Sequence, residues 1–403
     1  MYIKRTITNI LRKANTQFPV LLIAGPRQVG KTTCLRHSAK SGRTYVTLDD
    51  PQARLLAKED PGLFLQRFAA PVLIDEIQYA PELLPLIKIA VDSGSAKGDY
   101  WLTGSQQFHL MADVSESLAG RVGILQLLGF STRELDGDVD DRGGFSPQTI
   151  SPASAKPLGL MELYERIWRG SFPAIAIDDT MDRDLFYGSY VQTYLQRDVK
   201  ALVNVGDEMS FMKFLRAAAA RTGQLLNIAN LARDADISPR TAKKWLSVLE
   251  ASGIVFLLEP YHSNLTKRLV KAPKLYFLDT GLAAYLTQWS TPQTIEAGAM
   301  SGAFFETWVI AEVIKSYWHG GKAAPICYYR DTDNKEIDLL VVQDGTICPV
   351  EIKKTTAPTK KDVRHFSALK KLKTPIGPGA VLCMTNSPMP ITETVQALPA
   401  SQI

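Results

Sequence analysis

FPVLLIAGPRQVGKTTCLRHSA (residues 18–39) decides the fold of this chain. Val20 to Ala24 is an uninterrupted apolar run, the pattern of a strand buried on both faces of a parallel sheet. The pattern GxxxxGKT follows from Gly25 to Thr32 and opens a helix. That order suits a nucleoside triphosphate. Gly25, Pro26, Arg27, Gln28, Val29 and Gly30 form a loop that wraps closely, with backbone N–H groups at the helix N-terminus facing the phosphates. Lys31 reaches the outer phosphates, Thr32 offers its hydroxyl to Mg²⁺, and Thr33 continues the first turn of the helix.

Further along, PVLIDE (71–76) is a second buried strand ending in Asp75 and Glu76. At such a strand end, Asp75 holds the Mg²⁺ shell and Glu76 orients the attacking water. YWLTGS (100–105) is a third strand with a polar end, where Thr103, Ser105 or Gln106 is placed to sense the γ-phosphate. Arg121 follows a glycine in SESLAGRVGILQLLGF (115–130) and projects toward a nucleotide of its own chain or of a neighbouring subunit, as an arginine finger does. The expected catalytic set is therefore Lys31, Glu76, Ser105 and Arg121, with ATP and Mg²⁺ as cofactors.

GPRQVGKTT, VLIDEIQYAPELLPLIK, WLTGSQQF and SLAGRVGILQLLGFSTRE together resemble the bacterial and archaeal AAA-type ATPases that carry a C-terminal domain of unknown function. RGSFPAIAI, YVQTYLQRDVKAL and KAPKLYFLDTGLAAYL extend the resemblance over nearly the whole chain. It implies ATP binding and slow hydrolysis, and it assigns Lys31, Thr32, Asp75, Glu76 and Ser105 by position. It implies no settled biological role.

At 403 residues the chain is long enough for several domains. We read an ATPase domain over 1–135, a linker or insertion rich in Asp, Gly, Ser and Pro over 136–157, and a helical lid over 158–221. Residues 222–290 read as a winged helix. Here TGQLLNIANLARDADISPRTAKKWLSVLEASGIVFLLEPY (222–261) predicts a helix over Ile228 to Asp234 and a second helix capped by Ser238 and Pro239, its core face Trp245, Leu246 and Leu249, ended by Gly253. Arg240, Lys243 and Lys244 share its outer side, while Lys267, Arg268, Lys271 and Lys274 would decorate the wing. That layout fits a duplex, so nucleic acid, DNA above all, is the expected partner.

Residues 291–403 read as a restriction-endonuclease-like α/β domain. SGAFFETWVIAEVIKSYW (301–318) is an amphipathic helix carrying Glu306. EIDLLVVQDGTICPVEIKK (336–354) is a strand pair that places Asp338, Glu351 and Lys353 in the pattern of the PD-(D/E)xK nuclease superfamily. Glu306, Asp338 and Glu351 are then candidate ligands of a second Mg²⁺ or Mn²⁺, with Lys353 beside them. Whether this region cuts nucleic acid, binds it, or is a silent fold inside an ATP-controlled protein switch stays open at this level.

Composition narrows the rest. The chain is 45% hydrophobic and 22% charged, with a formal charge of +5, an ordinary globular balance that permits an anionic partner without demanding one. No apolar run is long enough to span a membrane and no secretory signal opens the chain, so a cytoplasmic setting is expected. The four cysteines are scattered, which predicts buried thiols rather than disulfides or zinc. An oligomer is compatible with the sequence, and protein partners cannot be read from it.

Overall fold

The computed structural model of the chain describes residues 2–39, 41–105, 114, 116–140, 142–148, 157–195, 208–261 and 272–403. The first layer is built from α1 (Ile7–Asn15), β1 (Val20–Gly25), α2 (Lys31–Ser38), β2 (Thr44–Thr47), α3 (Pro51–Glu59), α4 (Pro61–Arg67), β3 (Val72–Asp75), α5 (Leu83–Asp92), β4 (Tyr100–Ser105), β5 (Val122–Gln126) and α6 (Thr132–Leu135). Its strands form one parallel sheet in the order β2-β3-β4-β1-β5. β1 is buried at every position, which is why its sequence is apolar without alternation. The order places the C-terminal ends of β1, β3 and β4 side by side, so the loop after Gly25 faces Asp75 and Ser105 across adjacent strands.

A helical layer follows: α7 (Leu160–Arg169), α8 (Pro173–Ala176), α9 (Arg183–Tyr190) and α10 (Glu208–Ala219). Next come β6 (Gln224–Leu225), α11 (Ile228–Asp234), α12 (Pro239–Ala251), β7 (Val255–Leu258), β8 (Lys274–Phe277), α13 (Thr280–Leu286) and α14 (Pro292–Ala297). α11 and α12 begin and end where local chemistry places them. Asn227 and Ser238 cap them through Asn230 N–H and Thr241 N–H, Pro239 fills the first turn of α12, and Gly253 turns the chain at φ +68°. β7 and β8 pair antiparallel, with β6 beside β8.

The C-terminal module has α15 (Ser301–Trp318) and a mixed sheet of β9 (Ile326–Arg330), β10 (Glu336–Gln343), β11 (Thr346–Ile352), β12 (Gly379–Cys383), β13 (Met389–Pro390) and β14 (Val395–Pro399) in the order β13-β14-β12-β11-β10-β9. The expectation of an amphipathic α15 is corrected here. Phe304, Phe305, Trp308 and Val309 are buried as expected, but so are Ile310, Val313 and Ile314 on the other side, so the helix is enclosed all round.

One apolar core runs from Ile7 and Leu11 through Phe211, Trp245 and Phe304 to Leu398 and Ile403, crossing every boundary drawn from sequence. The stretch read as a linker contributes to it. Phe145 is buried, its N–H donates to Ser316 Oγ at 3.0 Å, and its carbonyl accepts from Tyr317 Oη at 2.6 Å. All four cysteines are buried free thiols.

Candidate functional site

β1 delivers the chain to Gly25 in a conformation only glycine tolerates. Its φ is +154°, and a Cβ there would lie 2.0 Å from the Leu127 carbonyl oxygen. Gly30, at φ +86°, turns the loop into α2. Beside this loop opens a cleft of about 510 Å³. Gln28, Gly30, Lys31, Thr32, Thr33 and Glu76 line one wall, and Pro173, Met181, Phe186 and Tyr190 of the helical layer line the other. Lys31 is buried and its Nζ donates to the Gly25 and Pro26 carbonyls at 3.1 and 2.8 Å. Arg27 Nη2 lies 3.5 Å from Tyr79 Oη.

Asp75 is the hub. Its Oδ1 accepts from Thr32 Oγ1 at 2.7 Å and from Thr103 Oγ1, and its Oδ2 accepts from Tyr45 Oη at 3.2 Å. Thr103 in turn accepts the Glu76 N–H at 3.0 Å, so one buried hydroxyl orients both acidic residues. Glu76 sits at φ +58°, a left-handed conformation that a β-strand exit does not ordinarily impose, and its carboxylate accepts from Gln78 Nε2. Ser105 Oγ is buried with no hydrogen-bond partner among the described residues, on the strand position paired with Gly25. Oxygen donors from Thr32 and Asp75 in contact at the mouth of a glycine loop fit a hard divalent cation.

Tyr45 and Thr103 carry contacts to Asp75 that sequence reasoning did not assign. Thr103 was legible as a polar strand end; Tyr45, on the far edge strand, had no signal. Gln106 lies outside the described residues.

Arg121 is elsewhere. Its carbonyl accepts the Val20 N–H, at the start of β1, while the loop leaves from the other end of that strand, about 16 Å along it. The guanidinium is held by Asp92, with Nε to Oδ1 at 2.6 Å. Projection toward the nucleotide of its own chain is thus corrected, because a parallel strand separates its two ends by its full length.

On α12, Arg240, Lys243 and Lys244 are exposed on one side while Trp245, Leu246 and Leu249 are buried on the other. Lys267, Arg268 and Lys271 lie outside the described residues. Lys274 does not decorate a surface. It is buried, with Nζ 2.6 Å from Glu336 Oε1 and 3.2 Å from Glu306 Oε1, and Tyr276 Oη donates to the same Glu306 oxygen at 2.5 Å.

Glu306, Asp338, Glu351 and Lys353 do converge, but each carboxylate is already served. Lys353 Nζ lies 3.0 Å from Asp338 Oδ2 and 2.7 Å from Glu351 Oε2, and the Ile352 N–H donates to Asp338 at 2.9 Å. Burial and the neighbouring Asp338 push Glu351 up to about 9. Burial alone would raise Asp338, but the charges of Lys353 and Lys274 together with hydrogen bonds from Glu351 and the Ile352 N–H overcome it and hold the carboxylate below its ordinary range. Burial and the same Asp338 charge raise Glu306. Among the described residues no three carboxylate, imidazole or thiolate groups are disposed to hold a metal ion. The expected second Mg²⁺ or Mn²⁺ site is not shown: the ammonium groups of Lys353 and Lys274 already neutralise these acids.

The family model described as an AAA domain matches residues 17–136, and models of two domains of unknown function, DUF8612 and DUF4143, match 160–293 and 301–403. Two relatives, the uncharacterised proteins Mb2031c of Mycobacterium bovis and Rv2008c of Mycobacterium tuberculosis, are each 31% identical over 403 residues, covering 98% of this chain and 82% of theirs. Among solved structures, the Walker-type ATPase PABY2304 of Pyrococcus abyssi is 16% identical with a TM-score of 0.41, covering 70% of this chain and 94% of that one. A RuvB variant of Thermotoga maritima is 18% identical with a TM-score of 0.30, covering 63% and 88%. Among the described residues no helix is long and apolar enough to cross a membrane.

Proposed function

This chain belongs to the same family as the two mycobacterial proteins and carries a P-loop AAA-type ATPase domain, and from that premise we propose that it binds and hydrolyses ATP in the cleft between the glycine loop and the helical layer. The contact of Thr32 Oγ1 with Asp75 Oδ1 at 2.7 Å, beside Lys31, carries the reading. Loop N–H groups and Lys31 hold the phosphates. Thr32 and Asp75 would hold Mg²⁺, which when bound neutralises charge on the outer phosphates. Glu76, fixed by Thr103 and Gln78, orients the attacking water, and Ser105 faces the same sheet end. Pro173, Phe186 and Tyr190 wall the cleft on the side of the helical layer.

Binding of a fluorescent ATP analogue and phosphate release test this directly. Lys31→Ala should bind at least about a hundredfold more weakly, and Glu76→Gln should bind normally while hydrolysis falls at least about a hundredfold. Undiminished turnover in either variant would refute the assignment.

A second reading rests on α12. Its exposed Arg240, Lys243 and Lys244 support docking on DNA, in which case the protein is an ATP-controlled nucleic-acid-binding machine. The lysine-neutralised carboxylates favour a C-terminal module that binds or transmits rather than cuts. The reduced thiols agree with a cytoplasmic setting. An oligomer in which Arg121 of one copy completes the cleft of the next would show a specific activity that rises with protein concentration.

A further inference from the structure

Arg5 lies outside every motif above, yet it is 2% exposed and fully engaged. Its Nη1 donates to the Val29 carbonyl inside the glycine loop at 3.0 Å. Its Nη2 donates to the Leu128 and Gly129 carbonyls at 2.7 and 3.0 Å, and its Nε to Glu134 Oε2 at 3.0 Å. The guanidinium also sits over the Phe130 ring, 4.5 Å from its centroid.

Glu134 is fully buried and accepts the Thr6 and Ser131 N–H groups at 2.8 and 3.0 Å. Its other close neighbour comes from the C-terminal module: His319, at the end of α15, places Nδ1 3.3 Å from Glu134 Oε1 while Nε2 accepts the Leu128 N–H at 3.2 Å. One turn earlier, Lys315 Nζ donates to the Phe130 carbonyl at 2.9 Å and to Glu312 at 2.8 Å, and Glu312 accepts the Thr132 N–H at 2.8 Å. The segment after β5 is thus tied to the glycine loop through Arg5 on one side and gripped by α15 on the other.

The loop end of this chain has a stereochemical consequence. In a trans peptide the carbonyl and the following N–H point in opposite directions. A fixed charge that holds the Val29 carbonyl on the Arg5 side therefore turns the Gly30 N–H the other way, and Gly30 lines the nucleotide cleft. We infer that Arg5 is a positioning residue for ATP: it aims the Gly30 N–H at the phosphates, and the C-terminal helix α15 holds it there through Glu134 and His319. The inference rests on the reading of this cleft as the ATP site.

Steady-state kinetics on the full chain test it. Arg5→Lys keeps the charge, but one ammonium cannot serve four acceptors spread around a planar fork. It should raise KM for ATP about tenfold at unchanged kcat. A merely structural role predicts the reverse split, because partial unfolding lowers the active fraction, hence apparent kcat, and leaves KM alone. His319→Leu leaves Arg5 intact and should raise KM about threefold, again at unchanged kcat. If Arg5→Lys fails to fold, His319→Leu alone decides. Wild-type ATP binding with KM unchanged in the folded variants overturns this inference alone, whereas a wild-type protein that binds no ATP overturns the site reading as well.

Discussion

His319 is neutral inside the protein for identifiable reasons. Burial and the positive charges of Arg5 and Lys315 hold it below its ordinary value of 6.5, against the opposing pull of Glu134. The unfolded chain protonates this imidazole below that value while the folded chain does not, so stability is lost as pH falls through it. Glu134 acts in the same direction only below its own ordinary value of 4.5. Burial alone would raise it, but Arg5 and its hydrogen bonds overcome that and hold it far below. Thermal melts as pH drops from about 7 to about 5 should therefore lower the wild-type Tm by about 2 °C more than that of His319→Leu. Parallel curves for the two proteins would contradict the assignment of a neutral buried histidine. None of this was legible in the sequence: Arg5, Glu134 and His319 are separated by more than a hundred positions, and no local pattern marks them as partners.

Among the elements, α12 shows how far local rules reach. Its caps, its first-turn proline and the spacing of Trp245, Leu246 and Leu249 were readable because a helix is specified by neighbours three and four positions apart. What packs on that face was not. Trp245 sits edge-on to Phe211 and Phe214 of α10, with ring centroids 5.3 and 5.4 Å away. Trp245→Ala should cost about 3–5 kcal/mol in chemical denaturation, and a loss below about 1 kcal/mol would mean that this core relaxes around the gap. On the opposite side, the Arg240→Glu and Lys244→Glu pair should weaken duplex binding about a hundredfold at moderate salt and reduce the slope of log K against log salt by about 2. Unchanged salt dependence would remove DNA docking from α12. The same limit explains α15. Periodicity predicted one wet face, but Ile310, Val313 and Ile314 bury that side in the core, while Glu312 and Lys315, on the face of Phe304 and Trp308, neutralise each other and satisfy backbone groups of a distant segment.

For the whole molecule, the apolar core that joins Ile7 to Ile403 packs the ATPase layer against the C-terminal module. Removing residues 301–403 would uncover the sides of α7, α13 and β8 that pack on α15 and strip Glu134 of its histidine, so residues 1–300 alone should aggregate and lose near-ultraviolet circular dichroism. A monodisperse fragment with a cooperative melt would show that the sequence-drawn boundaries are real energetic seams. By itself, the sequence determined the glycine loop, the strands ending in Asp75 and Ser105, and the helix pair at 228–251, because each is dictated by backbone sterics, capping and short periodicity. Tertiary structure alone decided that Arg121 stands at the wrong end of the sheet for its own chain, that Lys274 is buried among Glu306 and Glu336, and that Arg5 grips the loop. These are questions of which charge meets which across the core. Burial makes an unpaired charge intolerable, but it does not say from which distant element the partner comes.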